Sequence, residues 1–231
     1  ERWAADKYEI LILHQTPLTE SDRGRLDQML QHAEDGNGIP ANFVTRVVDI
    51  SQAQTDERLL ALWSQHAGQS ADPIMGTLYP RNARDIPDRV ADVSPFDDIS
   101  VQRLIDSPVR RKLVEELLDG QSAVWIFVPS GHVERDEKAL ATLEQQLALH
   151  EKTLELPPQE EIEADEFYQP NTKIELKIGF SVVTLARDDT REQFLLRSLL
   201  GSESDLKQFD EPLAFPVLGR GRVLYALVGK G

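Results

Sequence analysis

The chain contains no cysteine. That absence excludes disulfides, thiolate catalysis, dithiol redox chemistry, cysteine-based zinc centres and iron–sulfur clusters. It leaves the compartment open, because a chain of 231 residues buries enough surface to fold without cross-links. No apolar stretch reaches the roughly 20 residues of a membrane-spanning helix, and no signal-peptide pattern opens the sequence. Basic residues are scarce: 25 Lys and Arg against 40 Asp and Glu leave a net charge of −15. That balance argues against nucleic acid and anionic membrane surfaces, which need clustered cations, and favours solubility. Neither a His-Glu-x-x-His nor a Gly-x-Ser-x-Gly motif occurs, and His32, His66 and His150 have no suitably spaced second ligand, so no metal or other cofactor is expected.

What is present is ordinary globular composition, 40% hydrophobic and 28% charged. The most apolar run, Ser122 to Gly131, has the length and the β-branched and aromatic content of a buried parallel strand. Pro129-Ser130-Gly131 stops it and a long helical pattern follows, from Glu134 to about Leu156 with Leu140, Leu143, Leu147 and Leu154 on one face. Earlier in the chain, Tyr8–His14 reads as a strand. A helix to about Glu34 follows, capped by Thr19 or Ser21. Phe43–Ile50 is a second strand, Asp56 to Ala67 a helix with Leu59, Leu60, Leu62 and Trp63 inward, and Asp72–Pro80 a short strand. The Pro-punctuated segment from Arg81 to Ser100 is expected to be a structured loop, and Val101 to Leu118 helical with a restart at Ser107-Pro108.

Beyond the central run, residues 159–171 form an acidic connector and Lys173–Ile178 alternates like a half-exposed strand leading into Phe180–Leu185. A helix from Arg191 to Leu200 opens with a capping-box spacing at Thr190 and Gln193. Leu213–Leu218 and Arg222–Val228 flank Gly219-Arg220-Gly221 as a β-hairpin.

The segments Val47–Thr55 and Val182–Thr190 have equal length and similar pattern, and Asp72-Pro73-Ile74 parallels Glu211-Pro212-Leu213. Each half thus reads strand, helix, strand, helix, then an acidic-Pro-apolar strand. This repeat predicts an α/β protein of two domains, residues 1–120 with an extra helix over 101–118, and residues 121–231. The order β-α-β-α-β with a closing hairpin resembles the thioredoxin fold. The match is most specific in the second half, where Pro212, or alternatively Pro216, stands where that fold commonly has a cis-proline. The first half shows no evident closing hairpin. Where thioredoxins carry Cys-x-x-Cys, the two turns here read His14-Gln-Thr-Pro17 and Pro129-Ser-Gly-His132, so redox activity is not implied. The stretch Ala214–Gly231 looks like one in uncharacterised bacterial cell-envelope proteins in which the chain continues further. That resemblance implies an excised extracytoplasmic portion, with any membrane attachment outside these residues.

Two groups of residues are candidates for binding. Ser130, Gly131 and His132 sit where a helix N-terminus meets the carboxyl end of a strand, and His14 has the equivalent place in the first half. Such turns can hold a phosphate or carboxylate, although Ser130 also suits a plain helix cap. His14 acting as a base would need an orienting carboxylate, for which Asp49 is the candidate. On the hairpin tip, Arg220 and Arg222, with Lys230 near, form a compact basic feature suited to a partner's acidic surface or to blunting a sheet edge. The acidic residues from Glu160 to Glu166 lack the spacing of a calcium loop. The expectation is a non-catalytic interaction domain whose partner is another protein. The competing expectation is a small-ligand site or enzyme built on the turns at His14 and Ser130–His132.

Overall fold

A computed structural model of the chain describes residues 6–34, 41–52, 56–66, 72–81, 83, 86, 88–156, 177–219 and 221–229, with the side chains of 32–34 excepted. The fold is α/β, with two mixed sheets of four and five strands. Two compact units emerge, one made of residues 1–108 and 188–208, the other of 109–187 and 209–231.

In the first unit, β1 (Tyr8–His14) lies at the centre of its sheet. It pairs in parallel with β2 (Phe43–Asp49) and antiparallel with β3 (Ile74–Leu78), which pairs with β4 (Val90–Pro95). Successive side chains of β1 go to opposite faces. Ile10 and Ile12 meet Met29 of α1 (Glu20–Glu34), and Val101 and Leu104 of α3 (Asp98–Ile105). Leu11 and Leu13 meet Leu59 and Leu62 of α2 (Glu57–His66). All four β1 residues are buried, which explains why the strand reads as an unbroken apolar run. Thr19 caps α1 reciprocally with Asp22: the Thr19 backbone N–H and hydroxyl both donate to Asp22 Oδ2, at 2.8 and 2.6 Å. Pro108, where this unit's first segment ends, opens α4 (Pro108–Leu118) as expected of proline in a first helical turn; the rest of α4 and Gly120 (φ +94°), which closes it, belong to the second unit.

In the second unit the same order recurs. β5 (Ala123–Val128) is central, parallel to β6 (Phe180–Thr184) and antiparallel to β7 (Leu213–Leu218). Two short strands, β8 (Arg222–Val223) and β9 (Leu227–Val228), both pair with β7 and close the hairpin. The long helix α5 (Val133–Thr153) packs on β6 and buries Leu147.

Several expectations are corrected. Residues 90–95 are not loop but strand β4, so the first unit does have its closing hairpin. Leu60 is exposed, because α2 turns Leu59, Leu62 and the partly buried Trp63 to the sheet, and Leu154 lies beyond the end of α5 and is half exposed. Asp189, not Thr190, caps the turn before α6 (Gln193–Leu200), its carboxylate accepting from the Arg191 N–H at 2.9 Å. The cis peptide bond among the described residues precedes Pro73, in the first unit rather than the second. Lys177 and Ile178 are not in a strand, while 173–176 and the acidic connector lie outside the described residues.

The repeat is also less symmetrical than the sequence pattern. Although α6 lies between β6 and β7 in the chain, it belongs to the first unit. There it packs on β4 and α3. Its Arg197 Nε is 2.5 Å from Oδ1 of the buried Asp92, and its Ser198 carbonyl accepts from the Tyr79 hydroxyl at 2.5 Å. Burial pushes the Asp92 carboxyl above its ordinary value, an effect that Arg197 offsets only in part.

Candidate functional site at the strand-end turns

The first residues of a helix and the turn before it carry backbone N–H groups without intrahelical partners, and these must find acceptors. In both units an acidic side chain of the protein itself provides them. In the first, Asp72, the residue before Pro73, accepts from the Gln15 N–H at 3.1 Å and from the Thr16 N–H and hydroxyl at 2.7 Å each. In the second, Asp136 of α5 accepts from the Ser130 N–H at 2.7 Å, the Ser130 hydroxyl at 2.6 Å and the Gly131 N–H at 2.9 Å. The His132 N–H in turn donates to Ser130 Oγ. Gly131 takes φ +95°, a conformation open to glycine at little cost, which brings its amide round to Asp136. Partial burial acts to raise the Asp136 carboxyl, but the Ser130 hydroxyl and the two amides outweigh it and hold it below the ordinary 3.8.

The four turn residues are therefore placed as follows. Ser130 and Gly131 are engaged by Asp136, and His132 is an exposed residue at the helix start whose side chain makes no capping bond. His14 is half-buried at the end of β1, opposite Asp49 in the β1–β2 register. Its Nδ1 donates to the Thr16 carbonyl at 2.9 Å. Asp49 does not orient the ring by hydrogen bonding. It accepts from the Ser51 N–H and hydroxyl and from Gln52 Nε2, and those bonds, the Ser51 hydroxyl's first, lower its carboxyl against an opposing desolvation; the electrostatic pull of His14 is the least of the causes. His14 and the Ser130–His132 turn belong to different units. Of the hairpin arginines, Arg222 is exposed on β8, while Arg220 and Lys230 lie outside the described residues. Leu224 and Tyr225, between β8 and β9, and Leu227 of β9 are each exposed by about half. Among the described residues no group of three potential metal ligands exists, and no helix is long and apolar enough to cross a membrane.

A second polar constellation escaped the sequence reading. Glu9 of β1, Arg46 of β2, and Arg81 and Arg89 of the β3–β4 connection come together, with the three guanidinium groups 3.6–3.8 Å from the Glu9 carboxylate. The arginines are spread over the sequence, so no local charge run announces them. Their common signal is position, since each flanks a strand or sits on one near the same end of the sheet. Comparison of the chain with protein-family models, curated proteins and solved structures gives no match.

Proposed function

We propose that the chain is a pair of thioredoxin-like domains without redox activity, acting as a non-catalytic binding module of a bacterial cell-envelope protein whose partner is another protein. The thioredoxin-like assignment rests on the sheet orders β2-β1-β3-β4 and β6-β5-β7-β8, each with one parallel and one antiparallel neighbour around its first strand. The envelope assignment rests on the resemblance of the stretch from Ala214 onward. The observation that carries the non-catalytic reading is that both strand-end turns, where open α/β sheets usually take ligands, are occupied by carboxylates of the protein itself. A turn filled in this way serves the fold. Recognition then falls to outer surfaces, and the segment from Arg222 to Leu227, from β8 to the start of β9, combines a cation with three exposed apolar side chains, the composition of an interface centre.

The test is affinity capture from bacterial envelope extracts, followed by binding of the purified captured protein to the wild type and to a variant carrying R222E, L224S, Y225S and L227S. The expected result is a stoichiometric complex whose affinity falls at least tenfold in the variant at unchanged Tm. A complex that the variant forms equally well removes this surface. Release of a small molecule on denaturation, with no protein partner, overturns the reading in favour of a ligand-binding protein.

A further inference from the structure

Glu9 precedes Leu11 and Leu13 by two and four positions on β1 and shares their face, the one that α2 covers. Near the first turn of α2 this face opens into a hollow of about 170 Å³, floored by Leu11 and Leu59 and walled by Arg46, Arg58, Arg81 and Arg89 around Glu9. A neighbouring hollow of about 350 Å³ shares Glu9 and Arg81 and adds Lys7. Five basic side chains thus line the two hollows, against Asp6, Glu9 and Asp56. In a chain of net charge −15 this is a local reversal of sign.

Glu9 alone does not use up these donors. Each guanidinium carries five N–H groups, whereas a carboxylate offers about four acceptor positions. The separations of 3.6–3.8 Å are also longer than the roughly 2.7–2.9 Å of a tight charge-assisted bond. Arg89 donates Nη2 to the Tyr79 carbonyl at 3.1 Å, while its Nε is buried without an acceptor. Asp56 is already engaged as the cap of α2, accepting from the Arg58 N–H at 3.2 Å. The cluster therefore holds spare, convergent donors over an apolar floor.

We propose that this is a binding site for the phosphate group of a small phosphorylated molecule. A phosphate monoester presents three terminal oxygens and up to two charges, which several arginine forks engage at once, whereas one carboxylate fills a single fork. At about 30 Å³ of liquid volume per water, the smaller hollow holds the equivalent of roughly five or six waters, enough for a phosphoryl group. The adjoining hollow takes the rest of the molecule, and Glu9 accepts from a ligand hydroxyl. This site is independent of the interaction surface proposed above.

The test is titration of the whole chain with inorganic phosphate and with glycerol phosphate, against chloride at matched ionic strength, followed by amide chemical shifts. The expected result is saturable binding with shifts centred on residues 9, 46, 58 and 89, and tighter binding of glycerol phosphate than of phosphate. Arg46→Gln and Arg89→Gln should each weaken binding about tenfold or more, and Glu9→Gln should tighten phosphate binding several-fold by removing a like charge. Arg58→Gln, on the exposed surface of α2, gives the same reading should the strand variants fold poorly. Shifts that track ionic strength alone, or an affinity unchanged in Arg58→Gln and Arg46→Gln, overturn the proposal. Tighter binding of a poly-glutamate peptide at the same residues overturns it in favour of an acidic protein segment.

Discussion

Replacing Asp136 by alanine removes one acceptor group that serves three donors at 2.6–2.9 Å. A hydrogen bond to a charged group contributes about 1.5–3 kcal/mol when fully buried. Here the turn is partly exposed, so the freed amides of Ser130 and Gly131 regain water, and the loss is closer to that of a helix cap, about 1–2 kcal/mol. For a folding unit of about 100 residues, each ~1 kcal/mol lowers Tm by roughly 4–8 °C. The sign of the pH dependence follows from the lowered Asp136 carboxyl. Its contribution is complete above the ordinary value of 3.8 and is lost as pH falls through the lower, folded-state value. The assay is urea unfolding followed by the fluorescence of Trp125 on β5, in a background carrying W3F and W63F. At neutral pH, Asp136→Ala should fall below its parent by that amount, and Asp136→Asn, which keeps one acceptor without the charge, should fall between. In strong acid the parent, with its carboxyl protonated, should converge on Asp136→Asn and its margin over Asp136→Ala should shrink. A deficit under ~0.5 kcal/mol, where surface substitutions ordinarily lie, would refute the claim that this carboxylate holds the turn, as would a deficit that persists unchanged in acid.

Asp92 predicts the opposite dependence. Its carboxyl is raised by burial, so the wild type should lose ground against Asp92→Asn as pH rises through the folded-state value, measured as urea midpoints across the acid range. Tyr79→Phe deletes the hydroxyl bonded to the Ser198 carbonyl and should cost about 1–1.5 kcal/mol by urea unfolding, with faster amide exchange confined to α6. Leu59→Ala should cost about 2–5 kcal/mol, as expected of a buried leucine, whereas the adjacent exposed Leu60→Ala should stay within about 1 kcal/mol of wild type. Equal effects at 59 and 60 would contradict the orientation of α2.

What was legible in the sequence was whatever depends on local chemistry. The central strands β1 and β5 announce themselves because burial on both faces demands an unbroken apolar run. The Pro108 restart and the β7–β8 hairpin follow from backbone constraints written at those residues. Strand β4 was hidden because it carries a buried charge and ends in proline, a pattern that reads as loop. Asp92 is stabilised there chiefly by Arg197, which reaches it from a helix in the other half of the sequence, a compensation that no local window contains. The orientation of α2 was half legible: the pattern gives the helix but not which of Leu59 and Leu60 the sheet will cover. Among the candidate binding residues, the backbone position of Ser130 and Gly131 was readable from the strand–turn–helix order. That the position is filled was not, and neither was the convergence of Arg46, Arg58, Arg81 and Arg89, which depends on the β1–β2 register and the β3–β4 connection.

The two filled turns bear on how far the halves are equivalent. Each needs an acceptor for the amides of the turn after its first strand, and each has one, but from different places. In the first unit it comes from Asp72, just before β3; in the second it comes from Asp136, within α5 itself. The residue matching Asp72 in the second half is Glu211, and what it offers is its backbone carbonyl, which accepts from Arg187 Nη2 while Arg187 Nε donates to the Pro129 carbonyl. The turn is thus tied to the residues just before β7 by a cation in one unit and to those just before β3 by an anion in the other. What recurs is a requirement of the backbone rather than a residue. The requirement also means that the turn amides already have acceptors. A dissolved anion would have to displace a tethered carboxylate whose effective concentration is on the order of millimolar or higher. The arginine cluster around Glu9 presents the reverse situation, donors in excess of the acceptors the chain supplies, and that imbalance separates a place where an external anion can bind from one the fold has already closed.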